Sequence, residues 1–494
     1  MFGKVLIANR GEIAVRIMRT CREMGIRTVA VYSEVDTRAL HVLEADEAVS
    51  LGESEPTQSY LHIEKIIEAA RDSGAEAIHP GYGFLAENPN LAEACERSGL
   101  TFVGPPGRVI RDLGNKTMAR QIMTSAGVPV IPGMMEATTV LKRLSHEAET
   151  IGYPVLVKAV AGGGGKGMRI VSNKEAMSEA CLSAMSEAEK AFGDGSLYLE
   201  KHLEAPRHVE FQILADSHGH IVHLFERECS IQRRHQKIIE ETPSPVMTPS
   251  LREAMGKAAV SAAKASGYVN AGTVEFLLDR SGKFYFLEVN TRLQVEHPIT
   301  EMTTGLDIVR EQLNIASGHP LRFSQEEISQ RGHAIECRLY AEDPENSFFP
   351  SPGVVLLHRE PAGPGIRNDC GIYEGFRVPV EYDPIIGKVI AYGETREASR
   401  RRMIRALESY AILGIRTTIP FLIDILKGSE FAEGNLSTDF IERHFQGWRQ
   451  SMEDADMAKI AFILHDLTSS VKASTKQKPH GRPTPWETLG DWRL

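Results

Sequence analysis

Two acidic residues and an amide lie in a segment whose pattern predicts a β-hairpin. Glu275 belongs to the apolar run 273–278, and Glu288 and Asn290 belong to the run 283–290 after a turn. Side chains alternate between the two faces of a strand, so Glu288 and Asn290 share a face. Carboxylate and amide oxygens are ligands that suit Mg²⁺ or Mn²⁺. The alternative is an ordinary amphipathic hairpin whose polar face meets solvent.

The position of Glu275 depends on the register of this hairpin. If Leu278 pairs with Lys283, Glu275 pairs with Phe286 and points to the same face as Glu288. Glu288 is then a diagonal neighbour of Glu275, within reach of a shared ion. Two carboxylates among apolar side chains are costly to bury without a partner, which favours a metal site.

The segment after the hairpin contains a second polar set: Arg292, Gln294 and Glu296 alternate, and His297 and Pro298 follow. If the chain stays extended, the first three share a face. An arginine fork matches a planar oxyanion such as a carboxylate, and a neighbouring glutamate can take a proton. His297 is either a second base or a structural residue, and the alternative for the whole segment is a charged surface loop.

A glycine run at residues 161–167 lies between two apolar runs that predict strands. Backbone amides at such a tip can cover phosphate oxygens, and Lys166 adds positive charge. The run is not a Walker A loop, because Gly167 follows the lysine where that motif needs Ser or Thr. The alternative is a flexible surface loop. Lys158, on the strand before the run, is either an edge-strand residue or a phosphate ligand.

Together these features indicate phosphoryl transfer, which depends mostly on positioning and on neutralising charge. The residues alone therefore predict a magnesium-dependent nucleotide enzyme that acts on an oxyanion.

The elements that position these residues follow an α/β pattern. Residues 4–8, 11–24 and 28–32 predict a strand, a helix and a strand, and similar alternation continues to about residue 103. This order predicts a doubly wound α/β domain. Residues 115–150 predict mostly helix, and short strands follow residue 332. Residues 453–471 predict an amphipathic helix before a polar, proline-containing segment.

Composition excludes several classes of protein. The chain has 494 residues and a formal net charge of −10, which argues against a nucleic-acid partner. Its six cysteines are scattered, which argues against a zinc site or a disulfide framework. No signal peptide and no apolar run of about 18 residues is found, so we expect a cytoplasmic protein that does not span a membrane.

Eight segments of the chain resemble the biotin carboxylase family of the ATP-grasp superfamily, and the resemblance covers about residues 1–446. The segments are IANRGEIAVRI (7–17), HPGYGFLAEN (79–88), KAVAGGGGKGMR (158–169), RHVEFQIL (207–214), ERECSIQRRHQKIIEE (226–241), EVNTRLQVEHPITE (288–301), GHAIECRLYAED (332–343) and YDPIIGKVIAYG (382–393). One departure is that many members have a fifth glycine, or arginine in place of Lys166.

The resemblance implies three domains and an extension. They are a Rossmann-like N-terminal domain over 1–113, an ATP-grasp domain over 114–330 with a mobile lid at about 131–203, a C-terminal domain over 331–447, and an extension over 448–494.

The resemblance also implies an activity, in which ATP and bicarbonate form carboxyphosphate, and biotin is then carboxylated. The implied ATP-binding residues are Lys116, Lys158, Gly163, Gly164, Gly165, Lys166, Glu200, Lys201, Leu203, His208, Gln232, His235, Lys237, Glu275 and Glu288. Glu275, Glu288 and Asn290 would hold two Mg²⁺ or Mn²⁺ ions. Lys237, Arg292, Gln294 and Val295 would bind bicarbonate, Glu296 would take its proton, and Arg338 would stabilise carboxyphosphate and the biotin enolate. Cys229 is expected to be structural.

The chain contains no biotinylated lysine in a Met-Lys-Met setting and no carboxyltransferase region, so we expect it to work as a separate polypeptide of a larger carboxylase. Its implied partners are a second copy of the chain, a biotin carboxyl carrier protein and a carboxyltransferase subunit. Residues 448–494 either dock such a partner or form a disordered extension. Two other functions remain open: a carboxylate–amine ligase of the ATP-grasp superfamily, and a non-catalytic nucleotide-binding regulator.

Overall fold

The computed structural model describes residues 1–160, 168–450, 460, 463 and 464. Residues 1–448 form one compact unit, and residues 449–494 form a second unit, in which residues 460, 463 and 464 are helical. The glycine run, and most of the amphipathic helix and polar segment predicted near the C-terminus, lie outside the described residues.

The chain begins with a five-stranded parallel sheet that has the strand order β3-β2-β1-β4-β5. Its elements are β1 (Lys4–Ile7), α1 (Gly11–Glu23), β2 (Arg27–Ser33), α2 (Leu40–Glu44), β3 (Glu47–Gly52), α3 (Ile63–Ser73), β4 (Ala77–His79), α4 (Pro89–Arg97), β5 (Thr101–Phe102) and α5 (Gly107–Gly114). The strand β1 is central, and its residues Val5, Leu6 and Ile7 are fully buried because helices cover both faces. The predicted doubly wound architecture is confirmed, although β3 and α2 were missed.

A smaller antiparallel sheet with the order β7-β6-β8 follows. Its region contains α6 (Lys116–Ser125), α7 (Leu141–Ile151), β6 (Val155–Ala159), β7 (Arg169–Val171), α8 (Met177–Phe192) and β8 (Leu197–Lys201). Leu144, Val157, Cys181 and Leu199 belong to an apolar core separate from the others. The prediction of mostly helix over residues 115–150 holds for α6 and α7. It does not hold for the segment between them, where prolines interrupt the chain and Gly133 and Thr138 bridge to β8.

The largest sheet is antiparallel and has the order β13-β12-β9-β10-β11-β14-β21-β19. The elements of this part of the chain are β9 (Arg207–Ala215), β10 (Ile221–Arg233), β11 (Gln236–Thr242), α9 (Pro249–Ser266), β12 (Asn270–Leu278), β13 (Phe284–Asn290), α10 (His297–Thr304), α11 (Ile308–Ala316), β14 (His333–Tyr340), β15 (Glu342–Asp343), β16 (Phe349–Pro350), β17 (Gly353–Val354), β18 (Leu357–Arg359), β19 (Ile366–Cys370), β20 (Arg377–Val378), β21 (Ile385–Gly393), α12 (Arg396–Ser409), β22 (Ala411–Leu413), α13 (Ile419–Lys427), α14 (Ser429–Glu433) and α15 (Phe440–His444). Strands from both sides of residue 330 share this sheet, and the domain boundaries stay predictions.

The predicted hairpin forms, but its predicted register is wrong. Leu278 pairs with Phe284 and Phe276 with Phe286, so Glu275 lies directly opposite Glu288. The register shifts between Glu275 and Phe276, at a bulge that pattern alone does not reveal. The two carboxylates are therefore direct cross-strand neighbours rather than diagonal ones.

Candidate active site

A cavity of about 710 Å³ brings together most of the polar residues selected from the sequence. Its walls come from the start of α1, the loop after β4, and the strands β6, β8, β12, β13 and β14. The predicted residues that line it are Lys116, Lys158, Glu200, His208, Gln232, His235, Lys237, Glu275, Glu288, Asn290, Arg292, Gln294, Val295 and Arg338. Lys201, Leu203 and Glu296 do not line it. Gly163, Gly164, Gly165 and Lys166 lie outside the described residues.

Glu296 is fully buried just behind the cavity wall, between two cations. Lys237 Nζ donates to Glu296 Oε1 at 2.8 Å, and Arg338 Nη2 donates to Glu296 Oε2 at 3.0 Å. Burial alone would raise the pKa of Glu296, but Lys237 and then Arg338 outweigh it, and the pKa lies well below its usual value. The side chain is therefore a carboxylate at neutral pH, the form that a proton acceptor needs.

Lys237 and Arg338 join Glu296 to two further glutamates that the sequence analysis missed. Lys237 Nζ donates to Glu210 Oε2 at 2.5 Å, and Arg338 Nε donates to Glu240 Oε1 at 2.6 Å. Burial raises the pKa of Glu240 to about 7, although Arg338 opposes the rise. The signal for Glu210 was present, because it alternates with other polar residues along an otherwise apolar strand, β9.

The acidic hairpin forms the neighbouring part of the wall. Glu275 Oε1 accepts from Lys237 Nζ at 2.7 Å and from Asn290 Nδ2 at 2.7 Å, and Glu275 Oε2 lies 2.9 Å from His208 Nε2. Glu288 is exposed on the cavity wall. Its pKa is raised, first by limited hydration within the cavity and then by the like charge of Glu275. Oxygen donors on two paired strands, with one carboxylate costly to ionise, fit a divalent cation of the Mg²⁺ class.

The segment after β13 does not stay extended, so that expectation is wrong. The chain turns at residues 295–296, and α10 begins at His297 with a proline in its first turn. Arg292 Nη1 still reaches Gln294 Oε1 at 2.9 Å, and Arg292 Nε donates to Glu87 Oε2 at 2.9 Å. His297 is fully buried; its Nδ1 lies 2.8 Å from the Gln294 carbonyl oxygen, and burial lowers its pKa. His297 is therefore structural rather than a second base.

Another part of the cavity wall is lined by positively charged side chains. Lys158 Nζ donates to Glu200 Oε2, and Arg120 Nη1 donates to Glu200 Oε1 at 3.0 Å. Burial lowers the pKa of Lys116, and nearby Lys158 lowers it further, so an anion there would relieve their repulsion. Lys201 is turned elsewhere, because its Nζ donates to the carbonyl oxygens of residues 152 and 153.

The chain matches three family models in sequence. They are "Biotin carboxylase, N-terminal domain" over residues 1–110, "Carbamoyl-phosphate synthase L chain, ATP binding domain" over 115–324, and "Biotin carboxylase C-terminal domain" over 336–443. The chain is also 54% identical to a pyruvate carboxylase subunit of Methanothermobacter thermautotrophicus, across 93% of this chain and 92% of that protein. The chain belongs to the biotin carboxylase family.

Two further relatives support this family assignment. Biotin carboxylase 2 of Bacillus subtilis is 52% identical, across 90% of this chain and 100% of that protein. The biotin carboxylase domain of Hydrogenobacter thermophilus 2-oxoglutarate carboxylase, solved as a dimer with MgADP, ADP and bicarbonate, superposes with a TM-score of 0.88 and 48% identity. That match covers 91% of this chain and 99% of the solved one. The predicted family, fold class and class of enzyme, a ligase, are confirmed.

Cys229 does not line the cavity and lies beside Glu296. Cys229 Sγ lies 3.9 Å from Glu296 Oε1, and burial raises its pKa well above the usual value, so it is a neutral thiol that packs against Glu296. Among the described residues, no helix is long and apolar enough to cross a membrane.

Proposed function

We propose that the chain carboxylates biotin carried on another protein, using ATP and bicarbonate. The observation that carries the proposal is the buried Glu296 carboxylate, which Lys237 and Arg338 contact from two sides. Family membership supports it, as does the solved relative with MgADP and bicarbonate. A nucleotide, an oxyanion and a proton acceptor are the groups that such a reaction needs.

In the first step, Arg292, Gln294 and the Val295 backbone bind bicarbonate, and Glu296 takes its proton. A bicarbonate oxygen then bonds to the γ-phosphorus of ATP, and the bond to the ADP oxygen breaks. The product is carboxyphosphate. Because Glu296 is ionised, it can accept the proton, and its basicity rises when an anionic substrate offsets the positive field of Lys237 and Arg338.

The positive part of the wall binds the nucleotide in this proposal. The proposed ATP-binding residues are Lys116, Lys158, Gly163, Gly164, Gly165, Lys166, Glu200, His208, Gln232, His235 and Lys237. The repulsion between Lys116 and Lys158 supports this assignment, since polyphosphate would offset it. The separate apolar core of the predicted lid supports closure over the nucleotide.

Glu275, Glu288 and Asn290 would hold the two divalent ions. Bound there, Mg²⁺ or Mn²⁺ would neutralise the phosphate charge during transfer. The direct pairing of Glu275 with Glu288 supports this role, because two facing carboxylates are otherwise mutually repulsive.

In the second step, the carboxyl group passes to a ring nitrogen of biotin. A carbon–nitrogen bond forms, the bond from carbon to the phosphate oxygen breaks, and the nitrogen's proton goes to the released phosphate. The Arg338 guanidinium stabilises the negative charge that develops on carboxyphosphate and on the biotin enolate. Its bonds to Glu240 and Glu296 fix its orientation in advance.

The chain works with other proteins in this proposal, as biotin carboxylase subunits of multi-subunit carboxylases do. The partners are a second copy of the chain, a biotin carboxyl carrier protein and a carboxyltransferase subunit. The proposal includes a cytoplasmic location, supported by six buried, unbridged cysteines in the described residues.

ATP turnover by the purified chain tests the proposal. ADP release should require Mg²⁺ and bicarbonate and should increase with free biotin, and Glu296→Gln should abolish the increase. Glu311→Gln is the matched control, because Glu311 is also buried but lies on α11 away from the cavity.

Other outcomes favour the other functions. Nucleotide binding without turnover, with free biotin and with biotinylated carrier proteins, would favour a non-catalytic regulator. Turnover that needs an amine and a carboxylate but not bicarbonate would favour another ATP-grasp ligase.

A further inference from the structure

Lys388, on β21, is a lysine with no solvent-exposed side-chain surface. Its Nζ donates to the Val295 carbonyl oxygen at 2.7 Å and lies 3.4 Å from Glu12 Oε2. A buried ammonium group is costly unless it is paired and hydrogen-bonded. Lys388 does not line the cavity, so direct contact with a substrate does not explain this cost.

The groups around Lys388 come from distant parts of the chain. Glu12 is in the first turn of α1, and the Tyr82 ring, after β4, has its centroid 5.4 Å from Nζ. Arg338 is the register partner of Lys388 on β14. Groups from the parallel-sheet region and from the largest sheet therefore both lie beside this ammonium group.

Glu12 and Lys388 form a buried ion pair. Glu12 is 2% exposed, and neither of its oxygens has a hydrogen-bond partner among the residues that the structure describes. Burial raises the pKa of Glu12 to about 7, and Lys388 is the strongest influence that opposes the rise. Among the described residues, Lys388 thus makes the largest contribution that offsets the cost of burying the Glu12 carboxylate, and Arg338 adds a smaller one.

The contact with Val295 matters because Glu296 is the next residue in the chain. A peptide group is planar, so the plane of the Val295 carbonyl also contains the backbone nitrogen and Cα of Glu296. Residues 295–296 form the turn before α10, where no strand ladder fixes the backbone. The bond from Lys388 therefore fixes the peptide from which the Glu296 side chain departs.

We propose that Lys388, held by Glu12, is a positioning residue that sets the Val295–Glu296 peptide for bicarbonate binding and proton transfer. This inference rests on the proposed function. The N-terminal region thereby helps to position the Glu296 side chain through the buried charge of Glu12. No contact between α1 and Glu296 is required.

The test compares Lys388→Met, Lys388→Arg and Glu12→Gln in the full chain. Lys388→Met should lower kcat/KM for bicarbonate about 10- to 100-fold, the usual effect of a misplaced reacting group, with ATP affinity within about two-fold of wild type. Lys388→Arg should restore much of the loss, because it keeps the charge and the donor. Lys65→Met is the matched control, since Lys65 Nζ also donates to two backbone carbonyls, those of Leu51 and Gln58, away from the cavity.

A double variant separates positioning from simple stability. If Glu12 acts through Lys388, Glu12→Gln combined with Lys388→Met should lose no more kcat/KM than Lys388→Met alone. Unchanged kcat/KM for bicarbonate in the folded Lys388→Met protein would overturn the inference. If Lys388→Met does not fold, wild-type kcat/KM for bicarbonate in folded Glu12→Gln would overturn it, because the ammonium group would then hold the peptide without Glu12. Absence of bicarbonate-dependent turnover in the wild type would instead overturn the proposed function.

Discussion

Glu275 and Glu288 lie directly opposite each other on the paired strands β12 and β13. Glu275 has Lys237 and His208 close by. Glu288 lines the cavity, where limited hydration and then the like charge of Glu275 raise its pKa. Glu288 therefore depends more than Glu275 on an added cation to balance its negative charge.

Replacing Glu288 should change the metal requirement more than the stability. Glu288→Gln should raise the Mg²⁺ concentration for half-maximal ATP turnover at least about ten-fold, because a ligand is lost. Without metal, its melting temperature should not fall, since a repulsive charge is removed. Asp279→Asn, in the turn of the same hairpin, should leave the Mg²⁺ requirement unchanged. An equal Mg²⁺ requirement in Glu288→Gln would contradict the metal assignment.

Arg338 requires the forked shape of arginine. It donates from Nε to Glu240 and from Nη2 to Glu296, a pair of contacts that a single ammonium group cannot reproduce. Arg338→Lys should lower biotin-stimulated turnover about 100-fold, the usual cost of losing an oxyanion donor. Steady-state kinetics with free biotin measure this loss.

Arg396→Lys is the control for Arg338→Lys. Arg396 donates through Nε and Nη2 to Glu241, which adjoins Glu240 but does not line the cavity. This variant should lose stability without losing turnover per folded molecule. Equal losses of turnover in Arg338→Lys and Arg396→Lys would show that breaking any arginine–glutamate pair of this kind lowers turnover.

Asp216, in the turn of the β9–β10 hairpin, should make the free energy of unfolding depend on pH in the acid range. Burial would raise its pKa, but hydrogen bonds from Leu321, His220 and His218 lower it from 3.8 to about 2. Because the folded pKa is depressed, the contribution is complete above the unfolded value and is lost as pH falls from about 4 to 2. Asp216→Asn should therefore cost about 2 kcal/mol of unfolding free energy at pH 7.

Urea unfolding at pH 7 and at pH 3 checks this prediction. The difference between wild type and Asp216→Asn should shrink at the lower pH. The exposed Asp72→Asn should behave like wild type throughout. A difference of the same size at both pH values would show that the hydrogen bonds act independently of the charge.

The C-terminal extension should be dispensable for turnover with free biotin. Residues 1–448 form one compact unit and include the whole described cavity wall. A chain that ends at Trp448 should keep wild-type turnover within about two-fold, because a separate compact unit is expected to fold without the extension. If the extension docks a partner, this chain should fail to bind carrier or carboxyltransferase subunits in co-purification. Intact assembly would contradict the docking hypothesis.

The sequence predicted the local elements well where their periodicity was clear. The alternation from β1 to β5 indicated a parallel sheet with helices, and the 273–290 hairpin was recognised, because burial of one face imposes a regular spacing of apolar residues. β10 and β11 were missed, since polar and charged residues interrupt their apolar pattern. Those interruptions include cavity-lining residues such as Gln232 and Lys237.

The residue types and the order of motifs were enough to indicate the chemistry and the family, because phosphate, divalent cations and oxyanions each require particular side chains. Tertiary structure alone decided which groups meet. Glu210, Glu240 and Lys388 reach the site through contacts between strands far apart in the chain. The bulge that sets Glu275 opposite Glu288 and the turn that buries Glu296 are local in sequence, but the packing around them decides their geometry. Local spacing carries no information about such contacts, because register and burial are set by the packing of the whole sheet.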